Sequence, residues 1–337
     1  PGAWPWLGRL EIVDIGLDLP DESRNGLAPL PFECLAAGEL ARGCPGRPFA
    51  AHKGDFGHVL ILGGSRGYAG APALSAKASL RTGAGLVSLL LPEGATDAVS
   101  AWVPEAMAYP LPAPGGCLTL AALRAWQEKL DRCDVILAGP GMSAGQDTRE
   151  IVTMLLNRAG GKLLLDADAL NGLADCEAAR FAISRRRPGG SILTPHPGEA
   201  ARLLGTTPAA VQADRPGALQ HLVEITGAVV VLKGASTLVG APGRTPVVNL
   251  GGNSGMATAG AGDVLAGMIA ALWGQGLDAW DAARLGVYLH ATAGDAAAWR
   301  LGRHAMIARD LIDALGTAFE HLGGGMDVPP AQPDLGE

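Results

Sequence analysis

Short apolar runs of strand length recur along the chain from residue 52 onward, and they predict the strands of one sheet. The runs lie at residues 59–62, 86–91, 135–138, 163–165, 192–193 and 229–232. Glycine or polar residues follow each run, and in most cases a stretch with helical spacing comes next. Runs that are apolar on both faces are typical of strands covered on both sides. The alternation therefore predicts an α/β fold with a central, mostly parallel sheet flanked by helices on both faces.

Two further strands, at residues 237–239 and 246–248, flank the turn-forming segment Ala-Pro-Gly-Arg at 241–244. They predict a hairpin near one edge of the sheet. Helical spacing predicts a helix over 72–81, where Pro72 suits a first helical turn. The last part of the chain predicts helices over 263–273, 278–300 and 308–321.

The two ends of the chain lack this regular pattern. Residues 1–48 are rich in proline and glycine, so we expect a linker or docking arm there, with one short strand over 10–15. The regular pattern defines a domain over 49–323, and the tail at 324–337 is expected to be disordered. The chain begins with Pro1 rather than methionine. We therefore expect either a processed product or a piece of a longer protein.

Composition narrows the class of protein. A net charge of -7, from 26 Lys and Arg against 33 Asp and Glu, argues against nonspecific binding to nucleic acid or to an anionic membrane. The apolar runs are too short to cross a bilayer and no signal core is recognisable, so we expect a cytoplasmic protein. The five cysteines lack CxxC spacing and predict reduced, structural thiols. A phosphorylated ligand would have to be held by local groups.

Clusters of glycine and polar residues follow five of the predicted strands. They occupy residues 63–71, 139–141, 166–171, 194–199 and 233–237. Ligands of open α/β sheets bind beyond the carboxyl ends of the strands. The coincidence of the clusters predicts one shared site at that end of the sheet.

Several of these clusters also have an ordinary structural interpretation. The Gly63-Gly64 pair lacks the G-x-G-x-x-G spacing of a dinucleotide fingerprint, and residues 139–141 alone are typical of a tight turn. Capping of the following helix is an alternative for Asp166 and the favoured one for Asp168. Function and structure both stay open for each of them.

Three residues of the last two clusters are candidates for ligand contact. His196 stands between two prolines, and a rigid histidine at a strand end favours a ligand over the core. Glu199 has the alternative of a surface acid in a first helical turn. Lys233 directly follows a buried strand and precedes a glycine, which favours contact with an anion over a snorkelling side chain.

Residues 253–263 (Asn-Ser-Gly-Met-Ala-Thr-Ala-Gly-Ala-Gly-Asp) run straight into an apolar helix and predict an anion-binding turn. Small residues at 259–262 let the backbone approach a ligand, and a helix N-terminus directs unpaired N–H groups toward it. A carboxylate at Asp263 would repel a phosphate. Its predicted role is therefore that of a base, which takes a hydroxyl proton from the acceptor while the turn holds the transferring phosphoryl group. The alternative is that Asp263 is only an N-cap.

Together these motifs resemble the ADP-dependent (S)-NAD(P)H-hydrate dehydratases of the ribokinase-like superfamily. The resemblance includes His-Lys-Gly-Asp-Phe-Gly-His at 52–58, Thr-Pro-His-Pro-Gly-Glu at 194–199 and the turn that ends at Asp263. Residues 11–16 also resemble the closing strand of an NAD(P)H-hydrate epimerase domain, which is often fused ahead of this one. The resemblance implies that residues 1–48 hold a remnant of that domain, too short to epimerise anything, and that the chain is cut from a bifunctional protein.

The implied activity is repair of damaged nicotinamide cofactor by a carbon–oxygen lyase. Hydration of the reduced ring gives NADHX or NADPHX, and enzymes of this family dehydrate the 6S epimer at the expense of ADP, with release of AMP and phosphate. Asp263 would deprotonate the ring hydroxyl, which attacks the terminal phosphoryl group of ADP. The ring nitrogen lone pair would then expel phosphate and restore the reduced ring.

The resemblance also implies the ligand contacts. Ala71, Gly141, His196 and Asp263 match positions that contact the hydrate, whereas Lys233, Gly234, Ala235, Ser236, Thr237 and Gly262 match positions that contact the nucleotide. Glu199 matches an acid that organises Mg2+ in related kinases, so we expect Mg2+ to be held mainly through phosphate oxygens and water. The turn has Ala261 where many relatives carry serine or threonine, which removes one possible phosphate contact.

Two other functions stay open on the sequence. A ribokinase-like small-molecule kinase, of the hydroxyethylthiazole or hydroxymethylpyrimidine type, would use ATP and release a stable phosphorylated product. An inactive nucleotide-binding sensor would bind nucleotide without turnover. Preference for ADP and assembly into a homotetramer are implied by the resemblance alone.

Overall fold

Ten strands form one sheet in the computed structural model, which describes residues 32–158 and 160–324. The strands are β1 Glu33–Cys34, β2 His58–Leu62, β3 Leu86–Pro92, β4 Met107–Leu111, β5 Val135–Ala138, β6 Lys162–Leu165, β7 Ser191–Leu193, β8 Val229–Leu232, β9 Leu238–Gly240 and β10 Val247–Val248. Their order across the sheet is β1-β10-β9-β8-β7-β6-β5-β2-β3-β4. Neighbours from β8 to β4 run parallel, and β9 is antiparallel to β8 and to β10. The predicted mostly parallel sheet with an edge hairpin is confirmed.

The helices of the described residues follow the strands in alternation. They are α1 Ala37–Gly43, α2 Gly70–Arg81, α3 Glu93–Trp102, α4 Leu120–Arg124, α5 Gln127–Leu130, α6 Gln146–Leu156, α7 Asp168–Ala174, α8 Glu177–Ser184, α9 Pro197–Leu204, α10 Pro208–Ala213, α11 Arg215–Thr226, α12 Ala261–Gly274, α13 Ala279–Leu301, α14 Ala308–Asp313 and α15 Leu315–Leu322. None of them is long and apolar enough to cross a membrane.

Successive residues of a central strand enter two separate cores. Val59 and Ile61 of β2 pack into the core that contains α2, α12 and α13, whereas Leu60 and Leu62 pack into the core that contains α6 and α7. Because both faces of the sheet are covered, the central strands have no polar face, which is why they appear in the sequence as unbroken apolar runs. The predicted helical layers on both faces are confirmed.

Residues 33–43, which precede the predicted domain boundary at residue 48, contribute to this fold. Strand β1 pairs in parallel with β10, and helix α1 packs on α13 through the buried side chain of Leu40 and an ion pair between Glu39 and Arg284. A two-residue strand and a seven-residue helix are too short to show a period in sequence. The domain boundary at residue 48 stays a prediction. The strand predicted over 10–15 and the tail at 325–337 lie outside the described residues.

Helix α12 is packed tightly at its middle and at its end. A Cβ atom on Gly267 would overlap the Ser75 carbonyl of α2, and Ser79 Oγ donates to the Gly267 carbonyl at 2.8 Å. At the last residue of the helix, a Cβ atom on Gly57 would overlap the Gly274 carbonyl, and Gly57 has a φ of 73°. The motif at 52–58 therefore lies at the amino ends of the strands, where it packs against the end of α12.

Candidate functional site

The five clusters of glycine and polar residues lie at one edge of the sheet. Strands β2, β5, β6, β7 and β8 are parallel neighbours, so their carboxyl ends are adjacent. Backbone hydrogen bonds join successive clusters: Gly64 N donates to Pro140 O at 2.8 Å, and Lys233 N donates to Pro195 O at 2.8 Å. The predicted convergence of the clusters at one end of the sheet is confirmed, and a shared site there stays a prediction.

Ala71 and Gly141 lie close together at this edge. A Cβ atom on Gly141 would lie 3.3 Å from the Ala71 Cβ and 2.6 Å from the Tyr68 carbonyl oxygen. Gly141 also has a φ of 65°, a left-handed conformation that favours glycine. Ala71 lies in the first turn of α2 and Gly141 in the loop after β5, and both residues are partly exposed.

Asp263 lies in the first turn of α12, and its side chain is half-buried. The N-cap of that helix is Gly260, which has a φ of 91° and makes no side-chain cap, so the N-cap alternative for Asp263 is wrong. Within the described residues, the Asp263 carboxylate accepts no hydrogen bond. A Cβ atom on Gly262 would lie 3.4 Å from Lys233 Nζ, which places that ammonium beside the turn.

Two side chains from neighbouring helices hold the backbone of this turn. Ser75 Oγ of α2 donates to the Asp263 carbonyl at 2.9 Å, and His290 Nε2 of α13 lies 3.0 Å from the Ala261 carbonyl. Burial lowers the pKa of His290 to about 4, so the ring is neutral near pH 7 and donates its Nε2 proton. Neither residue stands out in the sequence, because each acts through a contact between elements.

Lys233 joins three strand ends through its ammonium group. Nζ lies 2.7 Å from Asp166 Oδ1 and 3.8 Å from Glu199 Oε2, and the side chain is 16% exposed. Thr194 Oγ1 donates to the same Asp166 oxygen at 2.7 Å. Burial alone would lower the pKa of Lys233, but the charges of Asp166 and Glu199 outweigh it and raise that pKa. The snorkelling alternative for Lys233 is wrong, since the ammonium is enclosed at the site.

His196 and Glu199 form a reciprocal cap on α9. His196 Nδ1 accepts from Gly198 N at 2.9 Å and from Glu199 N at 3.3 Å, and Glu199 Oε2 accepts from His196 N at 2.7 Å. Glu199 is only 5% exposed, so the surface alternative for this acid is wrong. The His196 ring is 52% exposed and borders the site rather than the core. Its Nε2 atom lies 3.3 Å from Glu199 Oε1.

Two acids of the site have pKa values close to neutrality. Burial and then the negative charge of Asp166 raise the pKa of Asp263 to about 7, against the opposing charge of Lys233. Burial likewise raises the pKa of Glu199 to about 7, again opposed by Lys233. A carboxylate that titrates near pH 7 is suited to take a proton from a substrate.

The sequence model of the NAD(P)H-hydrate dehydratases matches residues 59–316. The chain belongs to the NAD(P)H-hydrate dehydratase family. It is 42% identical over 248 residues to the ADP-dependent (S)-NAD(P)H-hydrate dehydratase of Neisseria meningitidis serogroup B, over 73% of this chain and 78% of that protein. The resemblance drawn from the motifs is confirmed.

A longer relative and two solved structures are also similar to this chain. The chain is 43% identical over 325 residues to the bifunctional NAD(P)H-hydrate repair enzyme Nnr of Moorella thermoacetica, over 96% of this chain and 59% of that enzyme. It thus spans less than two thirds of that relative. The ADP/ATP-dependent NAD(P)H-hydrate dehydratase of Bacillus subtilis, co-crystallised with ATP and Mg2+, superposes with a TM-score of 0.73 at 26% identity, covering 86% and 99% of the two chains. A ribokinase-like superfamily protein of Enterococcus faecalis superposes with a TM-score of 0.75 at 28% identity, over 88% of this chain and 98% of that chain.

Asp168 has a different role from the cap that the sequence favours. The N-cap of α7 is Ala167, which makes no side-chain cap and has a φ of 48°. The Asp168 carboxylate instead accepts from Ser143 N at 2.8 Å and from Asn171 Nδ2 at 3.3 Å. Asp168 therefore joins the loop after β5 to the start of α7 in this member of the dehydratase family.

The acids at the site are not arranged as a ready set of metal ligands. No group of three or more His, Cys, Asp or Glu side chains that could hold a metal ion occurs within residues 32–158 and 160–324. Asp166 Oδ1 is bound by Lys233 and Thr194, and the Glu199 oxygens face His196. Mg2+ accepts water and phosphate oxygens as most of its ligands, so it does not require such a group of side chains.

Arg215, the first residue of α11, is a buried side chain at the site that the sequence analysis missed. It is 7% exposed, and its guanidinium donates to the carbonyls of Leu232, Lys233 and Ser236. An arginine at the start of a helix has no distinctive motif around it. Only the fold places it beneath residues 233–237.

Proposed function

We propose that this chain dehydrates the 6S epimer of hydrated NADH or NADPH at the expense of ADP, and so repairs the damaged cofactor. One observation carries the proposal: Asp263, whose pKa is raised to about 7 by burial and by Asp166, follows directly on Gly262, where the Lys233 ammonium borders the turn. A base beside a cationic, N–H-rich turn suits removal of a hydroxyl proton together with transfer of a phosphoryl group. The named activity of the Neisseria meningitidis relative supports the same chemistry.

The proposed reaction has two stages. Asp263 takes the proton of the ring hydroxyl, whose oxygen bonds to the terminal phosphorus of ADP as the bond between that phosphorus and AMP breaks. The ring nitrogen lone pair then expels the phosphate from the ring carbon, and loss of a proton from the adjacent carbon restores the reduced ring. Hydroxide is a poor leaving group and phosphate a good one, so phosphorylation makes the dehydration feasible.

Residues around the turn are proposed to bind the two substrates. Ala71, Gly141 and His196 would contact the hydrate with Asp263, since Ala71 lies close to Gly141 and the His196 ring is half-exposed. The proposed nucleotide contacts are Lys233, Gly234, Ala235, Ser236, Thr237 and Gly262. With Ala261 in place of a hydroxyl residue, the backbone N–H groups of the turn would bind the phosphoryl group unaided.

Mg2+ is proposed as the metal cofactor, held through phosphate oxygens and water, and Glu199 would orient that water. When bound, the ion would neutralise phosphate charge.

The chain is also proposed to work within a larger protein. The bifunctional name and greater length of the Moorella thermoacetica relative support a fused NAD(P)H-hydrate epimerase domain. A cytoplasmic location and a homotetrameric assembly are part of the same proposal.

Recovery of the reduced cofactor tests the function directly. Incubation of the chain with hydrated NADPH and either ADP or ATP should restore the absorbance of the reduced nicotinamide, with release of phosphate in equal amount. A small-molecule kinase would instead consume ATP and leave the hydrate unchanged, whereas a sensor would bind nucleotide without turnover. Failure of the absorbance to return with either nucleotide would refute the dehydratase proposal.

The Asp263→Asn variant tests the base. We expect turnover to be abolished while ADP binding stays within about threefold of the unsubstituted chain, since the amide is isosteric. Near-normal turnover of this variant would remove Asp263 from the role of base.

A further inference from the structure

The Arg215 guanidinium is enclosed by neutral oxygen atoms. Its Nη2 donates to Leu232 O at 3.1 Å and to Ser236 O at 3.4 Å, and its Nη1 donates to Lys233 O at 3.3 Å and to Gln212 Oε1 at 3.0 Å. The residue is 7% exposed. Every one of these acceptors is uncharged.

No carboxylate of the described residues lies within ion-pair distance of this guanidinium. The neighbouring Asp214 does not supply one, because its Oδ1 accepts from Gly217 N at 2.9 Å as the cap of α11. Arginine keeps its proton even when it is buried. A full positive charge without a counterion therefore lies behind residues 233–237, in surroundings that screen it poorly.

The backbone of residues 233–237 is shaped around this side chain. Gly234 has a φ of 141°, and a Cβ atom on it would lie 2.8 Å from Arg215 Nη1. Ser236 has a φ of 55°, an uncommon conformation for a residue with a side chain, and its carbonyl is one of the acceptors. The guanidinium thus ties the beginning and the end of this loop to one rigid planar group.

We infer that Arg215 is a positioning residue for the nucleotide, because it holds residues 233–237 in the conformation that binds nucleotide and adds a fixed positive charge behind them for its phosphates. This inference rests on the nucleotide contacts of the proposed function. Arg215 does not touch the reacting atoms, so its effect falls on nucleotide affinity rather than on the chemical step.

The test compares Arg215→Gln with Arg186→Gln in the full chain. Arg186 is a matched control: it is a partly buried arginine that also donates to backbone carbonyls, among them Gly161 O at 2.8 Å and Gly190 O at 3.1 Å, but at the amino ends of β6 and β7. We expect R215Q to raise the KM for ADP and the calorimetric Kd for ADP about tenfold, with kcat within about twofold of the unsubstituted chain. R186Q should lower the thermal stability yet leave both ADP constants within about twofold.

Arginine-to-lysine variants keep the test decisive if R215Q does not fold. R215K retains the charge but loses the planar set of guanidinium N–H donors, so its Kd for ADP should rise about threefold. R186K should show no rise in this Kd. A Kd for ADP that stays within twofold in the folded R215 variants overturns the inference. An equal rise in the Arg186 variants overturns it as well, since the effect would then be a general loss of order.

Calorimetry separates this inference from the proposed function, since it needs no hydrated cofactor. A chain that binds ADP but restores no reduced cofactor refutes the dehydratase activity, and the Kd values of the R215 variants still decide the role of Arg215. An unsubstituted chain that binds neither ADP nor AMP overturns the inference itself.

Discussion

The Lys233 ammonium lies 2.7 Å from Asp166 Oδ1, although the two residues follow different strands, β8 and β6. The pair is almost fully enclosed, with side-chain exposures of 16% and 2%. Asp166 acts on two groups at once, because it fixes the position of the ammonium and adds negative charge near Asp263. The pH dependence of the proposed reaction should therefore depend on a residue that is not itself the base.

Asp166→Asn is expected to shift the acidic limb of the pH–rate profile to lower pH. The negative charge of Asp166 is one of the causes that raise the pKa of Asp263 to about 7, and the amide removes it. We also expect kcat/KM to fall about tenfold, because Lys233 loses its closest ionic partner. The measurement is kcat/KM for hydrated NADH across the pH range. Thr194→Val is the matched control, since it removes a hydrogen bond to Asp166 but leaves the charge, and an unmoved limb in D166N would contradict the prediction.

Asp263→Asn should make the protein more stable at neutral pH. The pKa of Asp263 is raised from 3.8 to about 7, first of all by burial, so the unfolded chain releases this proton at a lower pH than the folded chain. Below the pKa that Asp263 has in the unfolded chain, both states hold the proton, and the wild-type carboxyl group does not destabilise the fold. This contribution to stability is lost as the pH rises through the pKa that Asp263 has in the folded chain. Melting temperatures of the two proteins should coincide at acidic pH and diverge toward neutrality. A constant difference at every pH would count against the raised pKa.

His290 has the opposite pH dependence. Burial lowers its pKa from 6.5 to about 4, so the unfolded chain takes up a proton before the folded chain does. Stability is therefore lost as the pH falls between these two values. His290→Gln cannot protonate, although its amide can still donate toward the Ala261 carbonyl. The urea midpoint should fall less at acidic pH for this variant than for the unsubstituted chain. An equal fall in both proteins would show that His290 does not contribute to the loss of stability in acid.

Gly57→Ala should destabilise the fold more than its backbone conformation alone requires. Gly57 and Gly302 have nearly the same backbone conformation, with φ and ψ of 73° and 163° for Gly57 and of 76° and 154° for Gly302. A Cβ atom on Gly302 has no neighbour within 4 Å, whereas one on Gly57 would overlap the Gly274 carbonyl. We expect Gly302→Ala to lower the free energy of unfolding by about 2 kcal/mol and Gly57→Ala to lower it by about 2 kcal/mol more. Chemical denaturation of the two variants measures both, and equal losses would argue against the contact with α12.

Residues whose environment follows from local pattern were predicted well. The bounds of β5 and β8 agree with the apolar runs, because both faces of these strands are buried. Strand β4 was missed, since it lies at the sheet edge with Met107 exposed and contains Pro110, which sheet interiors exclude. The predicted helix over 308–321 is two helices, α14 and α15, which meet at Ala314.

The sequence singled out the loop residues of the candidate site, but not the side chains that hold those loops in place. Asp263 and Lys233 occur within recognisable motifs, so their types and spacing point to a phosphoryl site. His290 and Arg215 act on backbone carbonyls far away in sequence, and nothing in the residues around them marks those contacts. Side chains that hold a site in place can be recognised only when the packing of the elements is known.

The glycine contacts along α12 determine how the helix can respond to a ligand. Gly267 sits against Ser75 and Gly274 against Gly57, so backbone meets backbone at the middle and at the end, with no side chain between that could yield. Such a helix is held against sliding along its own axis. Its N-terminal dipole is therefore oriented before any anion arrives. The electrostatic field at the turn would then need little reorganisation when negative charge shifts during phosphoryl transfer.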